Sequence, residues 1–178
     1  MTTRTVRIVY TSLLAVLVTV GCRSRAAADN TSTDSAANAS DALALRLERG
    51  PCFGRCPEYV VELFDNGAVR FEGRKNVKSL GEQRANIPAA DVRALRQRLL
   101  EAGFATADTA YVGGSPNCGR YFTDGPQLTL STTVGAAIKS VHVEAGCTGS
   151  PRYLTTLAAQ VDSVARTSAW IAGNGDNK

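Results

Sequence analysis

The sequence predicts an α+β fold: an antiparallel sheet in the order ββββ-α-ββ-α, with two helices packed on one face. Three observations carry this. Several short segments alternate apolar and polar residues with the period of about 2 that a half-buried strand requires. Asp65-Asn66-Gly67 separates two of them as a hairpin turn. Two longer segments, each opened by a proline, space their apolar residues by three and four, as an amphipathic helix does.

Leu43, Leu45 and Leu47 alternate with Ala44, Arg46 and Glu48 and form the first strand. Glu58 to Phe64 and Ala68 to Arg74 are the next two. A two-residue Asn66-Gly67 turn would set Phe64 opposite Val69 and Glu62 opposite Phe71. A three-residue loop with Gly67 at positive φ sets Leu63 opposite Val69, Val61 opposite Phe71 and Arg70 opposite Glu62. The second register keeps one face apolar and pairs opposite charges, so it is preferred. Lys78 to Ile87 is a fourth, weaker strand. Pro88 suits the first turn of a helix, where its missing N–H is not needed. Val92, Leu95 and Leu99 give that helix its apolar stripe, with Gly103 as C-terminal cap and Phe104 folding back. Gln127 to Thr133 and Ala137 to Ala145 are two strands joined near Gly135. Ser150-Pro151 caps a last helix running to about Thr167, with Leu154, Leu157, Val161 and Val164 inward. Trp170 is expected to pack this helix end onto the sheet. The domain spans 42–172, with 173–178 a disordered tail. The sequence shows no internal repeat and no βαβ phosphate loop.

Upstream, Met1 to Arg7 is short and basic, and Ile8 to Val20 is mostly apolar. Those 13 residues make roughly 20 Å of helix, too short for a bilayer core of about 30 Å. Residues 1–21 therefore read as a signal peptide. Its end, Val18-Thr19-Val20-Gly21-Cys22, resembles a lipobox, in which a small residue precedes the cysteine that receives diacylglycerol. Cys22 is expected to become the lipidated first residue, its acyl chains anchoring the protein to a membrane; the competing reading is a plain secretory signal cut near Ala26 to Ala28. Arg rather than Asp at position 23 resembles Gram-negative lipoproteins of the outer membrane. Residues 22–41 are Ala, Ser, Thr, Asn and Asp with two arginines and no large apolar side chain after the cysteine, a flexible tether that cannot bury enough surface to order itself.

The chain has 20 Lys and Arg against 16 Asp and Glu, and Arg4 and Arg7 fall in the leader, so the excess drops from +4 to +2. So small a balance, without an aromatic-interleaved basic stripe, gives no reason to expect nucleic acid as a partner.

Cys52, Cys56, Cys118 and Cys147 remain after the anchor. Four cysteines in an exported chain read as disulfides, with three pairings open. The pairing 52–56 and 118–147 is favoured. Cys52 and Cys56 flank a turn freed by Gly54 and stiffened by Pro51 and Pro57, while Cys118 lies in a long loop and Cys147 after the last strand. Two other readings compete. Four-thiolate zinc is disfavoured by Cys-x3-Cys and two isolated cysteines. A thiol–disulfide redox protein would use Cys52/Cys56, or Cys147 near a helix N-terminus.

Gly50-Pro51-Cys52-Phe53-Gly54-Arg55-Cys56-Pro57-Glu58-Tyr59, followed by the Asp65-Asn66-Gly67 hairpin, resembles a bacterial family of uncharacterised envelope domains marked by Cys-x-Gly-x-Cys-Pro-x-Tyr. Asp124-Gly125-Pro126 and the terminal amphipathic helix add to the likeness, which covers about Leu43 to Ile171. The resemblance implies a signal-bearing or lipoprotein-like chain and supplies no catalytic residue. It supports the pairing of Cys52 with Cys56 and makes Cys118 and Cys147 an added staple.

His142 is the single histidine and shares a solvent-side strand face with Ser140 and Glu144. No nucleophile elbow accompanies it. No catalytic residue, metal site or cofactor is therefore assigned. The best site candidate is the loop Thr106 to Gly125, about 20 residues long and so beyond ordinary loop length. It holds Tyr111, Arg120, Tyr121 and Phe122, side chains that suit partner recognition. The competing reading tucks Tyr111 and Phe122 under the loop as minor core. The sequence thus points to a noncatalytic, stalk-tethered binding module in the bacterial envelope. Its contacts are the membrane through Cys22 and an envelope protein, its oligomeric state is open, and a periplasmic thiol–disulfide protein is the alternative.

Overall fold

The computed structural model describes residues 41–171. The signal peptide, Cys22, nearly all of the tether and the expected tail lie outside them. The described chain is a seven-stranded sheet with helices on one face, ordered β4-β3-β2-β1-β6-β7-β5. Its strands are β1 (Leu43–Arg49), β2 (Glu58–Phe64), β3 (Ala68–Lys75), β4 (Gly81–Asn86), β5 (Ala110–Tyr111), β6 (Gln127–Val134) and β7 (Ala137–Glu144). All neighbours run antiparallel except β5, which lies parallel to β7.

Strand alternation builds two unlike faces. Leu45, Leu47, Val61, Leu63, Val69, Phe71, Leu128, Leu130, Val141 and Val143 turn to the core. Helix α1 (Ala89–Glu101) covers them with Val92, Leu95 and Leu99, and α2 (Arg152–Ala165) with Leu154, Leu157, Ala158, Val161 and Ala165. The other face is open and charged. There Arg46 and Arg70 both pair with Glu62, and Arg74 reaches Glu48 at 2.6 Å. Between β2 and β3, Leu63 faces Val69, Val61 faces Phe71 and Glu62 faces Arg70, with Gly67 at φ 91°. This is the register preferred from charge and burial.

Several expectations are corrected. The sheet has seven strands, not six, because Ala110–Tyr111 pairs with His142 and Val143 from inside the long loop. Two residues are too few to carry a periodic signal. Among the described residues there are three α-helices rather than two, since α2 stops at Ala165 and a short α3 (Ser168–Ile171) follows. Arg166 makes that break at φ 56°, a conformation usually announced by glycine. β4 begins at Gly81 rather than Lys78, because Asn76 turns at φ 54° and Ser79 N–H donates to Trp170 O at 3.0 Å. Ser150 does not cap α2; its hydroxyl donates to Cys147 O at 2.9 Å. Pro88 precedes α1 as its N-cap residue. Trp170 does pack inward, its ring 5.0 Å from Phe71.

Candidate functional site

Two disulfide-closed loops meet at the end of the sheet where β1 stops and β6 starts. Cys52 and Cys56 close the first, and Cys118 and Cys147 the second. Backbone hydrogen bonds tie the loops together. Gly50 N–H donates to Gln127 O at 2.9 Å, Gln127 N–H to Pro51 O at 3.2 Å and Phe53 N–H to Asp124 O at 3.2 Å. Within the second loop, Phe122 N–H donates to Gly146 O and Thr148 N–H to Arg120 O, both at 3.0 Å. Gly146 permits this approach: a Cβ there would lie 1.8 Å from Phe122 O. The staple and these bonds leave Arg120, Tyr121 and Phe122 little backbone freedom.

Of the four loop residues singled out from sequence, three reach the surface. Phe122 is 59% exposed, Tyr121 is 42% exposed and Arg120 is also exposed. Tyr111 does not join them. At 5% exposure it is core, drawn under by the pairing of β5 with β7. The reading that tucked both aromatics inward thus applies to Tyr111 and fails for Phe122. Sequence reasoning missed Phe53, which is 85% exposed at the tip of the first loop. The available signal was a large apolar residue inside a short stapled turn, where nothing can bury it. Phe53 and Tyr121 border one shallow depression of about 140 Å³ with Pro51, Asp124, Gly125 and Gln127.

Tyr121 is seated on glycine. A Cβ at Gly113 would come within 2.7 Å of its ring, so only glycine lets the ring lie there. Gly113 N–H also donates to Glu144 at 2.8 Å. That bond and the Tyr121 hydroxyl hold the Glu144 carboxyl below its ordinary range, and Glu144 in turn raises the Tyr121 phenol.

A second polar cluster lies on the helix side. Asp162 of α2 accepts from Arg49 Nη2 at 2.7 Å, from the Tyr59 hydroxyl at 2.6 Å and from Thr167 Oγ1 at 3.2 Å. Burial and then the Asp162 charge push the Tyr59 phenol well above its usual range. Burial opposes the Arg49 charge, but Asp162 outweighs it and holds the guanidinium protonated. Tyr59 and Asp162 border a depression of about 290 Å³ with Ser163, Thr167, Ser168 and Ile171. Because the groups satisfy one another, the cluster acts as a clamp joining β1 and β2 to α2. Neither Arg49 nor Asp162 was singled out from sequence.

Of the other chemical candidates, Cys52 and Cys56 stay half-buried in their stapled turn. Cys118 and Cys147 are buried, out of reach of an attacking thiolate. His142 lies on the open face with Nδ1 3.0 Å from Thr129 Oγ1. Among the described residues, no three His, Cys, Asp or Glu side chains gather in a way that could hold a metal ion.

The family model described as "Domain of unknown function (DUF6438)" matches residues 43–165. The chain belongs to this family. The match runs from the first residue of β1 to the last of α2, so both disulfides, the exposed loop residues and Arg49, Tyr59 and Asp162 of the clamp fall inside the DUF6438 domain. The short α3 and Trp170 follow it. No curated protein matches the chain.

Proposed function

We propose that this protein is a noncatalytic lipoprotein of the bacterial cell envelope. Lipid on Cys22 holds it, with the outer membrane the favoured site, and its DUF6438 domain is a binding module on a stalk. One observation carries the binding role: Phe53, Arg120, Tyr121 and Phe122 are exposed on two loops that disulfides and backbone bonds hold at one end of the sheet. Large aromatic side chains and arginine, fixed before binding, lose little entropy on contact and dominate interface energetics. Among the described residues no helix is long and apolar enough to cross a membrane, so attachment in this proposal rests on the lipid. The stalk would join at Leu43, one strand length from the stapled loops. That is about 20 Å at 3.4 Å per residue, and it turns the aromatic end away from the point of attachment.

The test is photo-crosslinking in the producing cell. A photoreactive residue at position 53 or 122 should give one adduct of common size, lost when Arg120→Ala and Tyr121→Ala are added. The same probe at Ile138, exposed at the opposite end of the sheet, should give none. Adducts of equal yield at all three positions, or at none, would remove the stapled end from the proposal. The thiol–disulfide reading gains no support from the buried Cys147, and would have to use the half-buried Cys52–Cys56 pair.

A further inference from the structure

We propose that β4 is a self-recognition edge, along which a second copy of this chain adds antiparallel about Gln83. A mismatch of charge carries the inference. On the open face, β3 sets Glu72 opposite Glu82 and Arg70 opposite Arg84. Like charges directly opposite one another destabilise a strand pair. Elsewhere on this face the pattern is the reverse, with Glu62 set between Arg46 and Arg70. The β3 charges are already engaged, Arg70 with Glu62 and Glu72 with Arg74. Glu82 and Arg84 are left to each other, 2.7 Å apart along their own strand, in the most exposed ion pair of the sheet.

The edge itself is open. β4 is the terminal strand, six residues without proline, and among the described residues its outer backbone groups take no backbone partner. At the other end of the order the outer side of β7 is taken up, and the terminal strand there is the two-residue β5. β5 lies against β7, and Lys139 Nζ donates to Ala105 O at 2.9 Å and Ala107 O at 2.5 Å.

A two-fold axis through Gln83 places Glu82 of each copy opposite Arg84 of the other, giving two reciprocal ion pairs on one face. It also places Leu80, 66% exposed, opposite Asn86. A slip of two residues either way sets Glu82 against Glu82 or Arg84 against Arg84, so the charges select one register. The contact is isologous and each chain has one such edge, so assembly closes at two. None of this depends on the anchor or the stapled loops.

The full chain with Gln83→Cys, purified under oxidising conditions, tests it. Antiparallel partners on the axis lie about 4.5–5.5 Å apart at Cα, within disulfide reach. A band at twice the chain mass is expected without reductant. Glu101→Cys, exposed on α1, should stay single. Adding Glu82→Arg to Gln83→Cys should cut the doubled band at least tenfold. Adding Arg84→Glu as well should restore it to within about twofold, which also shows that the reversed strand folds. No doubled band from Gln83→Cys, equal yield from Glu101→Cys, insensitivity to Glu82→Arg, or failure of the double reversal to restore the band would each overturn the proposal. An edge that instead accepts a strand of another protein would give the first of these results.

Discussion

Tyr59 closes the cysteine motif, and its hydroxyl ends on Asp162 Oδ1, 103 positions away. The tyrosine was legible in the sequence; its partner was not. Asp162 sits in an amphipathic helix among ordinary polar residues, and only the fold brings Arg49 beside it. Tyr59→Phe removes one buried charge-assisted hydrogen bond. It should lower unfolding free energy by about 1.5–3 kcal/mol in denaturant titrations. The phenol also sets a pH dependence. Its folded pKa is raised above the ordinary value of about 10, so its contribution is complete below pH about 10 and is lost as pH climbs from there toward the folded value. Wild-type stability should therefore fall on the alkaline side more steeply than that of Tyr59→Phe. Parallel pH profiles would contradict the clamp.

At the level of elements, patterning told most where one face is buried. The β2–β3 register followed from Val61, Leu63, Val69 and Phe71 sharing a face while Glu62 met Arg70. Gly67 was readable because the turn needs positive φ, but the reason nothing larger fits lies outside the hairpin. A Cβ there would stand 2.1 Å from Ile87 O. Gly67→Ala should cost about 2–4 kcal/mol by chemical denaturation, from backbone strain and the clash together. The elements that escaped reading are those without a period: the two residues of β5, and α3, set off by an arginine in a glycine-like conformation. The missed β5 is also why the sequence left Tyr111 open between the loop surface and minor core. The second staple closes a loop of 29 residues by sequence separation. Replacing Cys118 and Cys147 together by alanine should cost about 3–4 kcal/mol, seen as a lower thermal midpoint in calorimetry.

The described residues form a sheet with one greasy face, one charged face and two unlike ends. Helices cover the first face, ion pairs populate the second, and the disulfides gather at the end remote from Leu43. Alternation and the prolines before the helices made the layers legible. The convergence of Phe53 with Tyr121 was not, because it depends on β1 and β6 lying side by side although the whole β2–α1 region separates them in sequence. In the proposed function this geometry serves a domain held at Leu43 and working from its far end. In that proposal, acylation of Cys22 is what would hold it there. Labelling cells that produce the full chain with a palmitate analogue measures that event directly. A labelled wild-type band and none from Cys22→Ser is the expected result; an unlabelled wild type, or equal labelling of the two, would overturn acylation at Cys22.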